Sequence, residues 1–169
     1  MPLGEFDLIE RFFRRPGRRR DVLLGIGDDA AVLEMPPGRA LVAATDTLVE
    51  GRNFLAGAPP GSIGHQALAV NLSDLAAMGA EAAWALLSLS IPESDELWLE
   101  GFAAGFFALA DTHGVELVGG DTVRGPLVAL HAASALMGVF TGATVIGTFV
   151  FSIPSIIAVV MNYVKRDEA

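Results

Sequence analysis

The sequence has no cysteine, which excludes disulfides, thiolate metal sites and cysteine nucleophiles. Basic residues are scarce: 11 Lys and Arg stand against 20 Asp and Glu, for a net charge of -9. The imbalance lies in residues 1–127, which hold 18 acids and 9 arginines, and the one lysine is Lys165. Binding to DNA or RNA through phosphates runs on clustered Lys and Arg, so an acidic body argues against a nucleic-acid partner. There is no G-x-x-x-x-G-K-[ST], so the chain is not a P-loop protein. His65 and His113 lack a second His at ligand spacing, which argues against zinc. No Ser-His-Asp order is visible. Glu5, Asp7 and Glu10 interrupt the apolar residues of the N-terminus, which is not a signal peptide, and residues 1–127 read as cytoplasmic.

What the chain does have is aspartate at the edges of apolar elements. Gly25-Ile26-Gly27-Asp28-Asp29 sets two carboxylates behind glycines that permit a sharp turn and close approach of a ligand. Neighbouring strand side chains point to opposite faces, so Asp28 and Asp29 are expected to do different work, and only one need face a site. Residues 40–44 read as a short apolar strand ending in Thr45-Asp46-Thr47. Asp74 lies in an apolar helix expected over residues 63–79, capped by Ser62, with no Lys or Arg within a helical turn. A strand over 115–118 runs into Gly119-Gly120-Asp121-Thr122. Hard oxygen ligands select Mg2+ or Ca2+, and several carboxylates converging on one cleft repel unless cations lie between them. The residues therefore point to a multi-metal phosphate site, with turn-capping as the plainer role open to any single aspartate.

Between these clusters, residues 5–14 read as a short amphipathic helix stopped by Pro16-Gly17. Arg18-Arg19-Arg20 reads as a solvated linker, with a phosphate contact as the sharper alternative. Strands are expected at 22–27, 30–34 and 82–91, and a helix over 95–112 with Trp98, Phe102, Phe106 and Leu109 on its core face.

The motifs Gly4-Glu5-Phe6-Asp7-Leu8-Ile9, Gly25-Ile26-Gly27-Asp28-Asp29, Thr45-Asp46-Thr47-Leu48-Val49-Glu50-Gly51, Val70-Asn71-Leu72-Ser73-Asp74-Leu75-Ala76-Ala77-Met78-Gly79 and Gly119-Gly120-Asp121-Thr122 resemble, in order and spacing, thiamine-monophosphate kinase. The resemblance covers about residues 3–127. It implies a PurM-like N-terminal α/β (α+β) domain that forms a homodimer through its sheet. It also implies Mg2+-dependent, direct in-line phosphoryl transfer from ATP to thiamine monophosphate, giving thiamine diphosphate. By resemblance Asp29, Thr45, Asp46, Asp74 and Asp121 hold Mg2+, and Gly120 and Asp121 lie against ATP. Asn53 stands where the family has a substrate-contacting His, so it is expected to donate a hydrogen bond without carrying charge.

Residues 132–164 carry no charge over 33 positions, long enough to cross a ~30 Å hydrocarbon core. Gly138-Val139-Phe140-Thr141-Gly142 is a G-x-x-x-G, Pro154 breaks the run, and Lys165-Arg166 close it on the expected cytoplasmic side. Residues 152–166 resemble a segment of small bacterial integral membrane proteins. The expected organisation is thus a truncated kinase half, 1–127, joined to a foreign hydrophobic transmembrane helical segment, 128–169. Impaired catalysis follows from that expectation. A membrane-anchored binding module and a non-functional chimeric fusion are the alternatives.

Overall fold

A computed structural model describes residues 4–125, 129–130 and 136–140. The chain opens with a helical turn, α1 (Glu5–Leu8), that continues as a π-helical turn, Ile9–Phe13. A short hairpin follows, β1 (Val22–Leu24) and β2 (Val32–Leu33), then β3 (Ala40–Ala44) and β4 (Leu48–Val49). Helix α2 (Pro60–Ala77) leads to the longest strand, β5 (Ala80–Ile91), and α3 (Glu96–His113) to β6 (Glu116–Arg124). Two further strands among the described residues are β7 (Ala129–Leu130) and β8 (Leu136–Phe140).

Strand β5 is central because both of its edges are taken. One edge pairs in parallel with β6, from Trp84↔Glu116 to Ile91↔Arg124. The other pairs antiparallel with β8 near its start and with β7 at Ser90. The sheet order is β3-β8-β5-β7-β4, with β6 beside β5. Parallel pairing of β5 with β6 needs a crossover, and α3 is that crossover. Period-two alternation turns Leu87, Leu89 and Ile91 toward the helices, where they join Leu68, Leu75, Leu99, Phe102 and Phe106 in the core. Trp84 and Leu86 turn the other way, to a smaller cluster under the β1–β2 hairpin with Val22 and Leu33.

Helices α2 and α3 cross on glycines. A Cβ at Gly64 would run into the Phe102 carbonyl, and one at Gly105 into the Gly61 carbonyl. The aromatic face of α3 is core as expected: Phe102 and Phe106 are buried, and Trp98 stacks on Phe102 at 5.2 Å. Asp95 caps α3 by accepting from the Leu97 and Trp98 amides, and Gly114 closes it at φ 64°.

Three sequence expectations are corrected. Helix α2 begins at Pro60, not at a Ser62 cap; proline suits the first helical position because its missing N–H would have no partner there. Strand β6 does not stop at the Gly-Gly-Asp cluster but runs through it to Arg124. Leu136–Phe140, expected inside a membrane helix, is a strand that pairs with β3 from Ala40↔Phe140 to Ala44↔Leu136. An uncharged run fits a strand buried inside a sheet as well as it fits an apolar helix, so periodicity cannot separate the two. Among the described residues no helix is long and apolar enough to cross a membrane. The rest of the expected span, residues 141–164, lies outside the described residues.

Glycine to alanine normally favours a helix by about 1 kcal/mol. At Gly105 the sign is expected to reverse, because the added methyl meets backbone. Gly105→Ala should destabilise the fold by about 1–3 kcal/mol, measured as a lower midpoint in urea unfolding.

Candidate functional site

The Gly-Asp-Asp turn and the Gly-Gly-Asp segment of β6 face one cavity of about 770 Å³. One wall comes from the N-terminal residues Phe6, Ile9 and Phe13 and from 26–31; the other comes from Leu86, Leu87 and residues 117–122 of the sheet. Its floor is apolar and its rim carries Asp28, Asp29 and Asp121. Both acids of the turn are exposed, but they are not equivalent. Asp28 Oδ1 accepts the Asp29 amide at 2.9 Å, which folds the Asp28 carboxylate back onto its own turn. Gly27 holds φ 123°, a conformation that disfavours any residue with a Cβ.

A β-bulge places Asp121. The register slips between Ala85↔Leu117 and Leu86↔Gly119, so Val118 is the extra residue on β6. Beyond the bulge Gly120 lies against Leu87, where a Cβ would run into the Leu87 carbonyl. Only glycine lets the two backbones approach that closely, and Asp121 then stands opposite Ser88 with its side chain exposed.

The other expected metal ligands lie elsewhere on the sheet. Thr45 and Asp46 follow β3, and Asp74 sits in the last turn of α2. Asp74 is pushed above the usual carboxylate range, first by partial burial and then by the negative charge of Asp46. Strands β3 and β6 are separated by β8 and β5. Three strand spacings put Asp46 and Asp121 on the order of 14 Å apart along the sheet. Among the described residues no three acidic or histidine side chains form one metal-ligating group. The expected ligands therefore divide into two sets: Asp29 with Asp121 at the cavity, and Asp46 with Asp74 beside Thr45.

Asn53 lies in a turn after β4. Its Oδ1 accepts the Val49 amide at 2.9 Å, and Gln66 Nε2 donates to its carbonyl at 3.3 Å. The side-chain oxygen is thus occupied within the turn, which orients the amide NH2 outward. The apolar wall of Phe6, Ile9 and Phe13 escaped the sequence reading. Its one signal was a short helix with aromatic residues ahead of the Gly-Asp-Asp turn.

Residues 27–148 match the family model of AIR synthase related protein, N-terminal domain. The chain belongs to this family. The AIRS match crosses residue 127 and takes in β7 and β8, as their place in the sheet requires. The chain is 53% identical over 128 residues to thiamine-monophosphate kinase of Salmonella typhimurium, a match covering 75% of this chain and 39% of that protein. The solved thiamine-monophosphate kinase of Stenotrophomonas maltophilia K279a superposes with a TM-score of 0.68 at 51% identity, over 83% of this chain and 43% of that one. AaThiL complexed with AMPPCP and TMP superposes with a TM-score of 0.57 at 33% identity, over 62% of this chain and 34% of that one. The chain spans about two-fifths of the length of the curated relatives it matches.

The Asp46–Asp74 pair gives a pH test. A carboxylate whose folded-state pKa is raised adds stability below the unfolded value, about 3.9, and loses it as pH rises through the folded one. Asp74→Asn removes this loss. The variant should melt above the parent at pH 7 without divalent cations, with the difference shrinking as pH falls toward 4. A variant melting below the parent at pH 7 would contradict the like-charge contact.

Proposed function

We propose that the chain is the nucleotide- and metal-binding part of a thiamine-monophosphate kinase. The reaction is in-line transfer of the ATP γ-phosphoryl group to the phosphate of thiamine monophosphate, with ADP leaving and thiamine diphosphate formed. The observation that carries this reading is the cavity where the Gly-Asp-Asp turn meets Gly-Gly-Asp, in a stretch of 128 residues that is 53% identical to a kinase of that name. A relative complexed with AMPPCP and TMP supports ATP and thiamine monophosphate as the ligands.

The donor set fits Mg2+: it is all oxygen, and Asp74 is raised by burial and by the negative charge of Asp46, both of which a bound cation would offset. Asp29 and Asp121 would hold the ion at the cavity, and Asp46, Asp74 and Thr45 would hold it at the end of β3. Bound Mg2+ neutralises phosphate charge, which is most of what phosphoryl transfer asks of a protein. The protein's own share is placement. Asp28 fixes the turn that presents Asp29. Gly120, lacking a Cβ, lets β6 lie against Leu87 and so sets where Asp121 stands on the rim. Asn53 offers its outward NH2 to an acceptor oxygen of the substrate, a neutral donor whose strength does not vary with pH near neutrality. The proposed homodimer uses the sheet; Leu41, 51% exposed on the edge strand β3, supports an apolar contact there. The proposed setting is the cytoplasm.

These residues make up two-fifths of the relatives' length, so nucleotide binding is the activity expected of them alone, with turnover impaired. Calorimetric titration of the full chain with AMPPCP should show binding that needs Mg2+. Asp121→Asn should weaken it by about tenfold or more. Equal binding in EDTA, or none by the folded chain, rejects the reading.

A second reading, a membrane-anchored binding module or a non-functional fusion, rests on the absence of charge in residues 132–164. With Leu136–Phe140 in the sheet, the span available to it is 141–164. Cell fractionation separates the two readings: the kinase reading expects the chain in the soluble fraction, and an anchor expects it in the membrane pellet.

A further inference from the structure

The arginine-rich segment after α1 already has anions on it, and they are the protein's own. Arg15 forks onto Asp111, with Nη1 to Oδ1 and Nη2 to Oδ2 both at 3.1 Å, and Arg18 Nη1 reaches Asp111 Oδ1 at 2.7 Å. Glu116 Oε2 accepts two successive backbone amides, Arg18 at 2.9 Å and Arg19 at 2.8 Å. Consecutive amides converging on one oxygen form an anion nest, here filled by a side chain of β6. Gly17 makes the approach possible, since a Cβ there would lie 3.3 Å from Glu116 Oε1. Arg19 Nη1 also donates to the Gly114 carbonyl at the end of α3. This arrangement replaces both sequence readings of the run: Arg18 and Arg19 are neither a free linker nor an open phosphate site.

The segment lies along the whole of α3. Arg11 pairs with Glu96 at its start, Phe13 meets Phe102 edge-on at 6.4 Å, Arg15 lies over the Phe107 ring at 4.5 Å, and Asp111 is in the last turn. The same segment supplies Phe6, Ile9 and Phe13 to the cavity, with Phe6 85% exposed. Leu8 and Phe13 seat α1 and its π turn on the main core, with Phe12 packed against it, while residues 16–19 add the polar ties to the end of α3 and to β6. An exposed ion pair alone adds little stability. Two backbone amides on one carboxylate do more, because those donors cannot swing away as side chains do.

We propose that Glu116 and Asp111 are positioning residues for the cavity. They pin residues 16–19 to the end of α3 and thereby fix the apolar wall opposite Gly120 and Asp121. Glu116 is the pin, and Asp111 is the salt-sensitive second tie. The link to nucleotide affinity rests on the kinase reading; the placement of the wall does not.

Amide hydrogen exchange on the full chain tests it. In Glu116→Ala, residues 5–13 should exchange about tenfold faster while residues 63–77 of α2 stay unchanged, because the loss is local. Glu116→Gln keeps an acceptor oxygen for both amides and should restore most of the protection. Asp111→Asn should speed exchange less and remove its dependence on salt. Unchanged exchange in residues 5–13 of Glu116→Ala overturns the proposal, as does equal loss throughout α2. In parallel, Mg2+·AMPPCP should bind Glu116→Ala more weakly, and Glu116→Gln as the parent does. Undiminished affinity with a loosened wall also overturns the positioning role. A parent chain that binds no AMPPCP sinks the kinase reading instead, and exchange alone then judges the wall.

Discussion

The contact between Gly120 and the Leu87 carbonyl is the constraint on which the cavity depends. Strand β5 holds partners on both edges, so it cannot yield. Strand β6 must reach it after absorbing one extra residue at Val118. A side chain at 120 would push β6 away and move Asp121 out of line with Ser88. One glycine thus serves the sheet directly and the site through the placement of Asp121, and this explains why the Gly-Gly-Asp cluster lies within a strand and not at its end.

The acids of the chain fall into two classes once their neighbours are known. Asp21 accepts Arg19 through both oxygens and also the indole N–H of Trp84, which is fully buried. The hydrogen bonds from Arg19 hold its carboxyl below the usual range, as those from Arg15 do for Asp111. Asp74 departs in the opposite direction, through burial and the charge of Asp46. Scaffold acids are those the arginines stabilise as anions. At the candidate site Asp74 is costly to ionise, which a protein tolerates where a cation is to be bound.

Much of this was legible in the sequence where one physical effect dominated. Strand β3 was read at its observed ends because an apolar run bounded by polar residues leaves few choices. The core face of α3 followed from aromatic spacing. Reading failed where structure depends on distant partners. The extension of β6 past Asp121 needed β5 as a template, and Leu136–Phe140 needed β3 and β5 on either side to become a strand. Asp21 beside Arg19 was a local sign of pairing, but Asp111 and Glu116 lie more than ninety positions from the segment they tie, so nothing local revealed those contacts. The aspartates of the candidate site were legible as residues. Their division between the cavity and the end of β3 was not, because it follows from strand order.

That division bears on how such a site would work. Acids on one rim would crowd ions into a single cluster, whereas two sets about three strand spacings apart can engage different parts of an extended anionic ligand. A nucleoside triphosphate facing a second phosphate is such a ligand. The cavity set, with its apolar lining and the carboxylates of Asp29 and Asp121, suits a molecule with a flat uncharged part and a metal-bound phosphate chain. The Asp46–Asp74 set lies on the side of the sheet that carries β4 and the Asn53 turn, where an uncharged donor faces outward. In the proposed reaction strand order sets where each set of acids stands, while the two reacting phosphates must themselves come into contact for in-line transfer.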